Sequence, residues 1–224
     1  PPPPPPPPPP PFFFKPDAGI RDFCLSRGLG DVYKRQAMGW DSVTCLAHSM
    51  GGSVSMFSTS IFPDLFSKLI LLDSIIVLPP EKATAMKLSR PSSRFAVFSE
   101  ELEEAIARFR LMPPQPCAKD FVLRNVAKHS YKQTEEGWTL KADPLIPKTY
   151  EYNDLHEIFM KAKVDIEIVY GGSSQLYSQD VIDYMVYVGN LDQNKMHKLD
   201  GAMHHLFLDM PEEFIELIQN ILKK

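Results

Sequence analysis

Ser49 sits in the pentapeptide Ala47-His48-Ser49-Met50-Gly51, with apolar and β-branched residues before it and helical sequence after it. A serine on a tight turn between a buried strand and a helix offers its hydroxyl at the helix N-terminus, where it can attack a carbonyl carbon. Such a turn strains the backbone at the serine, so the residues two before and two after it must be small. Ala47 and Gly51 meet that demand, and Gly52 lets the helix pack closely on the sheet. The Met50 amide would then face the oxyanion that forms on attack. The plainer reading is a serine that merely caps a helix; the strand before and the helix after favour the nucleophile. His48 beside it reads as a packing residue.

A serine nucleophile needs a base, and the base is expected late in the chain, on a loop after the last strand. The segment Asp200-Gly201-Ala202-Met203-His204-His205-Leu206-Phe207-Leu208-Asp209-Met210-Pro211-Glu212-Glu213 occupies that place and holds two histidines.

The elements that would hold these groups alternate between strand and helix. Residues 42–47 read as a short buried strand, and helical sequence runs from Met50 to about Phe62, where Pro63 stops it. Residues 68–72 form a continuous apolar run, which fits a parallel strand covered on both faces. Strand sequence returns at 164–170, followed by a helix over 178–188, a short strand at 196–199 and a last helix from Pro211, with acidic residues at the positive end of its dipole. Between them, helical pieces broken by prolines are expected at 81–89, at 100–111 with Ser99 as N-cap, and at 119–129, with almost no strand sequence. This pattern predicts an α/β fold: a parallel sheet from 37–78 and 164–224, carrying a helical cap at 79–163.

The first 36 residues have a different texture. Pro1 to Pro11 is a homopolymer, followed by Phe12 to Phe14 and Lys15, and the stretch 19–36 has no sustained period. Proline, phenylalanine and lysine are what runs of C, T and A encode. The segment 1–36 therefore reads as disordered, low-complexity, non-native translation; a polyproline II arm is the biological alternative.

At 224 residues and 44% hydrophobic, the chain can bury one sizeable core. A formal charge of −4 without a dense basic block gives no footprint for nucleic acid. The longest apolar stretch, residues 69–78, falls short of the roughly 20 residues a membrane span needs. Three widely spaced cysteines, Cys24, Cys45 and Cys117, suit a reducing compartment, so a cytoplasmic location is expected. His129, His156 and His197 lack ligand spacing and read as surface or cap residues, so neither a metal nor a cofactor is implied. Gly28-Leu29-Gly30 is not a dinucleotide loop, because Tyr33 replaces the third glycine. Glu100, Glu101, Glu103 and Glu104 read as a solvated helix face. Phe95, Phe98, Phe109 and Met112 either line a pocket for an acyl group or pack a core.

From Trp40 onward the chain resembles the α/β-hydrolase superfamily. The resemblance rests on His48-Ser49-Met50-Gly51-Gly52, on Leu69-Ile70-Leu71-Leu72-Asp73 and on residues 204–213; Gly137-Trp138-Thr139-Leu140 with Asp143-Pro144 is similar to the serine hydrolase-like subfamily. It implies the C-terminal portion of an α/β-hydrolase sheet with a helical cap. The implied activity is a serine hydrolase that cleaves a carboxylic ester or related acyl bond of a small molecule through an acyl-enzyme. Counting back from Asp209 and Pro211 in that pattern points to His204 rather than His205 as the base. Serine at position 49 argues against the haloalkane dehalogenase and epoxide hydrolase branches, which use aspartate there.

The acid departs from the pattern. The family usually places it after the strand read at 164–170, where this chain has Gly171-Gly172-Ser173-Ser174-Gln175. Asp73 stands where the acid has migrated in some relatives, yet it also fits as a structural aspartate; Asp180 and Asp183 are further candidates. Nothing before Trp40 resembles the loop that supplies the second oxyanion donor, so an N-terminal truncation and an exposed sheet edge are expected. A catalytically silent binding protein on the same scaffold, or an inactive fragment of the enzyme, is therefore the alternative.

Overall fold

The computed structural model describes residues 39–88, 98–117, 119–142 and 155–223. The proline run, the stretch 19–36, Phe95 and Asp143-Pro144 lie outside the described residues. The chain divides after Asp41, and every element below belongs to the unit Ser42–Lys224.

Four strands build one parallel sheet: β1 (Val43–His48), β2 (Phe66–Leu72), β5 (Asp165–Gly171) and β6 (Met196–Leu199), in the order β1-β2-β5-β6. Helix α1 (Met50–Ile61) links β1 to β2, and the chain leaves it at Phe62 because Pro63 cannot continue a helix. A segment with helices α2 (Pro80–Leu88), α3 (Leu102–Arg108), α4 (Asp120–Ser130) and α5 (His156–Met160) separates β2 from β5. Helix α6 (Gln179–Gly189) joins β5 to β6, ending on Asn190 in the left-handed conformation, and α7 (Leu206–Asp209) and α8 (Pro211–Leu222) close the chain.

The apolar run at β2 alternates between two cores, so both faces of the strand are covered. Leu69 and Leu71 join Met56, Phe159, Ile168, Val181 and Met185 on one face. Ile70 and Leu72 join Val169, Leu199, Leu206, Ile218 and Ile221 on the other. Leu69, Ile70 and Leu71 are each 0% exposed, and burial of side chains of this size stabilises the fold by about 1.5–3 kcal/mol apiece. Helix α8 shows the same logic on a curved surface: Pro211 opens it, Glu212 and Glu213 sit in its first turn, and Ile218 and Ile221 face the sheet.

Helix α1 approaches β2 closely at Gly52. A Cβ there would lie 2.3 Å from Ser74 Oγ and 2.4 Å from Ser74 Cβ. That hydroxyl is itself tied to the carbonyls of Ala47 and Leu72 at 3.1 and 3.0 Å. Gly52→Ala is therefore expected to destabilise the protein by about 1–3 kcal/mol through overpacking. Urea unfolding measures this, and an unchanged midpoint would refute the close packing.

Three expectations need correction. The segment between β2 and β5 is not purely helical: Tyr131–Thr134 (β3) and Gly137–Leu140 (β4) pair as an antiparallel hairpin. Its strands are four residues long, and its Glu135-Glu136 turn lacks the Asn-Gly type of signal that marks a hairpin in sequence. Ser99 does not cap a helix. It bridges Trp138 through both backbone groups, at 3.0 and 2.7 Å, and takes Arg108 on its hydroxyl, while α3 starts only at Leu102. His197 is not a surface residue: its Nε2 lies 2.7 Å from Oε2 of Glu167, which is buried in β5. Neighbouring strands place the two side by side, a proximity without any signal in the linear spacing.

Candidate active site

The C-terminal ends of the four parallel strands carry the polar residues of the site, in strand order. Ser49 follows β1, Asp73 follows β2, Gly171 to Ser174 follow or end β5, and Ala202 to His204 follow β6. Ladder bonds continue past the strands and lock these ends together. Ser49 N donates to Leu72 O at 3.0 Å, Asp73 N to Val169 O at 2.8 Å, Gly172 N to Leu199 O at 2.8 Å and Ser173 N to Ala202 O at 2.8 Å. Strand ends of a parallel sheet are where an open α/β sheet binds its ligands.

Ser49 has φ 54 and ψ −124, a left-handed conformation that a residue with a Cβ adopts only under strain. Its side chain makes no capping bond to α1, so the capping role does not account for this serine. Met50 is the first residue of the helix, and an amide in that position has no partner within the helix.

Asp73 also has a positive φ, of 46°, and is 0% exposed. Its Oδ1 accepts the Gly171 amide at 2.9 Å, and its Oδ2 accepts Ser174 Oγ at 2.7 Å and His204 Nδ1 at 2.7 Å. These three donors offset the cost of holding a carboxylate away from water. Facing an acceptor, His204 Nδ1 carries the ring proton, and the neutral imidazole is left with Nε2 as its acceptor. His204 is 3% exposed. Asp73 and His204, 131 residues apart in sequence, are thus brought together. Asp180 and Asp183 are not: Asp180 pairs with Lys82 at 2.8 Å, and Asp183 accepts from Gln179 at 2.8 Å.

His48, next to Ser49, holds His204 from the other side. Its Nε2 donates to His204 O at 2.9 Å, its ring centroid lies 4.6 Å from that of His204, and Phe207 meets it edge-on. Burial is the main reason its imidazole titrates below the ordinary range. His205 packs against both rings, at 4.9 Å from His204 and 5.2 Å from His48, and its Nε2 donates to Met112 O at 3.1 Å. Phe98 and Met112 are both exposed, so they belong to no core. The acidic cluster is a solvated face, with Glu103 paired to Arg124 and Glu104 to Arg108.

Burial, with help from the neighbouring His204 and His48 rings, lowers the His205 imidazole to about 4 from an ordinary 6.5. The unfolded chain therefore binds more protons than the folded one between these limits, so His205 contributes stability above pH 6.5 that declines as pH falls toward about 4. Thermal melts at pH 7 and pH 4.5 are expected to show a smaller loss of Tm in His205→Gln than in the parent. Equal losses would mean that His205 takes no part in the acid sensitivity.

Two contributors escaped sequence reading. Ser174 holds Asp73, and its only clue is that it falls in the Gly-Gly-Ser-Ser loop after β5. Gln115 accepts the His205 amide on Oε1 at 3.0 Å, and nothing in the sequence around it marks it. Among the described residues no cluster of three or more histidine, cysteine or acidic side chains could hold a metal ion. No described helix is long and apolar enough to cross a membrane.

A parallel sheet whose C-terminal strand ends carry a strained serine, a buried aspartate and a histidine loop is the architecture of the α/β-hydrolase fold, and this chain has that fold. No protein-family model matches the chain, and no curated protein matches it. Solved structures that share the fold include an E-2-(acetamidomethylene)succinate hydrolase, 18% identical with a TM-score of 0.68 over 87% of this chain and 72% of that one. The thioesterase domain from the curacin biosynthetic pathway is 18% identical, with a TM-score of 0.61 over 84% and 70%. An esterase from Mycobacterium tuberculosis is 20% identical, with a TM-score of 0.58 over 89% and 66%.

Proposed function

We propose that this protein is a serine hydrolase that cleaves a carboxylic ester or a related acyl bond through an acyl-enzyme. The observation that carries the proposal is the buried 2.7 Å contact between Asp73 and His204, held on the strand ends beside a serine with left-handed backbone. In this reading His204 Nε2 takes the proton from Ser49 Oγ as that oxygen attacks the substrate carbonyl. Asp73 keeps the imidazole in the required tautomer and stabilises the imidazolium, and the Met50 amide donates to the oxyanion. The imidazolium then returns its proton to the departing alcohol, leaving an ester on Ser49. Water, deprotonated by the same Nε2, attacks that ester; the bond to Ser49 Oγ breaks, the imidazolium returns its proton to that oxygen, and the acid departs with Ser49 and the neutral imidazole regenerated. The fold neighbours named hydrolase, thioesterase and esterase support acyl chemistry of this kind. The segment between β2 and β5 would serve as the cap over a small-molecule substrate.

A fluorophosphonate probe tests the proposal, because it reacts far faster with a serine activated in this way than with an ordinary hydroxyl. Intact mass and peptide mapping should find one adduct, on Ser49. The competing reading, an inactive binding scaffold, draws on β1, which pairs only with β2 among the described residues and so leaves its outer edge open. Folded protein that takes no label would favour the scaffold.

A further inference from the structure

Resting on the reading of His204 as the base, we propose that Gln115 is a positioning residue for it, a latch by which the segment between α3 and α4 sets the orientation of the imidazole. His204 is held from its side chain at one nitrogen, by Asp73. Where the other nitrogen points depends on the backbone, and the amides of the residues before and after His204 are both tied to one pair of side chains. The Met203 amide donates to Asp209 Oδ2 at 2.8 Å, and the His205 amide donates to Gln115 Oε1 at 3.0 Å. A backbone N–H can only donate, so the carbonyl oxygen of Gln115 faces His205 and its NH₂ is turned to Asp209. That nitrogen lies 2.9 and 3.0 Å from the two carboxylate oxygens of Asp209. The result is a closed circuit: Met203 amide to Asp209, Asp209 to Gln115, Gln115 to the His205 amide.

Asp209 lies in the histidine loop's own short helix, but Gln115 lies 94 residues from Asp209 in sequence, in a different part of the fold. The same outside segment touches the loop twice more. Met112 O accepts His205 Nε2 at 3.1 Å, and the Cys117 thiol lies 3.8 Å from Leu208 O. Without Gln115, Asp209 would still hold Met203 and His48 would still hold the carbonyl of the peptide after His204 at 2.9 Å, but the N–H of that peptide would lose its acceptor and the peptide could tilt about its one remaining bond. A misplacement of about 1 Å at a catalytic group costs on the order of 10²-fold in rate, which sets the scale expected here.

The polarity of the circuit supplies its own control. Exchanging the amide and the carboxylate in Gln115→Glu/Asp209→Asn keeps three of the four bonds, losing only the second contact from position 115 to the oxygen that accepts Met203. The amide introduced at position 209 can accept the Met203 N–H on its oxygen and donate from its NH₂ to the carboxylate introduced at position 115, which in turn can accept the His205 N–H. Gln115→Glu alone sets two carboxylates against each other.

The experiment uses the 224-residue chain, its Gln115→Ala and Gln115→Glu variants and the exchanged pair, each checked for folding by circular dichroism. Three readouts are taken: turnover of p-nitrophenyl acetate, the rate of fluorophosphonate labelling, and amide exchange of residues 203–206 by mass spectrometry. Both single variants are expected to lose about 10- to 100-fold in kcat and in labelling rate with KM within about threefold, and to lose exchange protection at 203–206. The exchanged pair is expected to recover most of both. A kcat in Gln115→Ala equal to that of the parent overturns the positioning role and leaves the hydrolase reading intact. So does a folded exchanged pair that recovers nothing. A parent that neither labels nor turns over removes the hydrolase reading, and the positioning role with it.

Discussion

Ser49→Ala is expected to abolish turnover of p-nitrophenyl esters, a loss on the order of 10⁶-fold in kcat, and to leave no site for a fluorophosphonate label. The size of the effect follows from the proposed mechanism: without the hydroxyl that mechanism forms no acyl-enzyme, and only binding and the oxyanion donor remain to speed attack by water. The backbone at this residue gives a second, opposite expectation. With φ 54 and ψ −124, Ser49 stores strain that a Cβ imposes and that glycine does not feel. Ser49→Gly should therefore unfold at a urea concentration no lower than the parent while being just as inactive. Loss of activity together with loss of stability would mean that Ser49 is a structural serine and not a strained nucleophile. Residual activity within about tenfold of the parent would remove Ser49 from the reaction altogether.

Asp73→Asn is expected to lower kcat by about 10⁴-fold. The asparagine keeps the shape and the carbonyl acceptor, but its NH₂ group competes to face His204 Nδ1 and favours the tautomer that places the proton on Nε2, where it blocks the transfer from Ser49. Ser174 makes a sharper test possible. Its hydroxyl and His204 Nδ1 both lie 2.7 Å from the same oxygen, Asp73 Oδ2, so a carboxylate built at position 174 starts beside the imidazole. Asp73→Asn/Ser174→Asp is expected to recover at least about tenfold of the lost kcat, since any acceptor at Nδ1 restores the productive tautomer. Steady-state kinetics on the parent, the single variant and the double variant decide the matter. An Asp73→Asn enzyme within about threefold of the parent would make Asp73 structural. A double variant that is folded but no better than the single one would mean that the carboxylate acts only from its present strand end.

These effects bear on how much of the molecule could be read before it was folded. The strand at 68–72 was legible because continuous burial on both faces leaves no polar position, and Leu69 to Leu72 indeed divide between two cores. The turn at Ser49 was legible because its demands are local: small residues at 47 and 51, a strand before and a helix after. The hairpin at Tyr131–Leu140 was not, because strands of four mixed residues joined by Glu135-Glu136 carry neither a period nor a turn signature. Ser99 misled for the same reason. A serine just before a helical run looks like a cap, and only the approach of Trp138 shows that its backbone is engaged elsewhere.

What the linear order of residues determined by itself was therefore the fold class, the turn at Ser49 and the region that holds the histidine. Each is encoded by neighbours in the chain, through backbone preference and hydrophobic periodicity. Tertiary structure alone decided the contacts between single polar groups: Asp73 on His204 across 131 residues, Ser174 on Asp73 across 101, and Gln115 on Asp209 across 94. A hydrogen bond is satisfied by one donor and one acceptor wherever the chain happens to bring them, so it leaves no repeat to detect. Several carboxylates were chemically able to serve as the acid, and the ends of β2, β5 and β6 meeting on one edge of the sheet selected Asp73 as the one that reaches the imidazole.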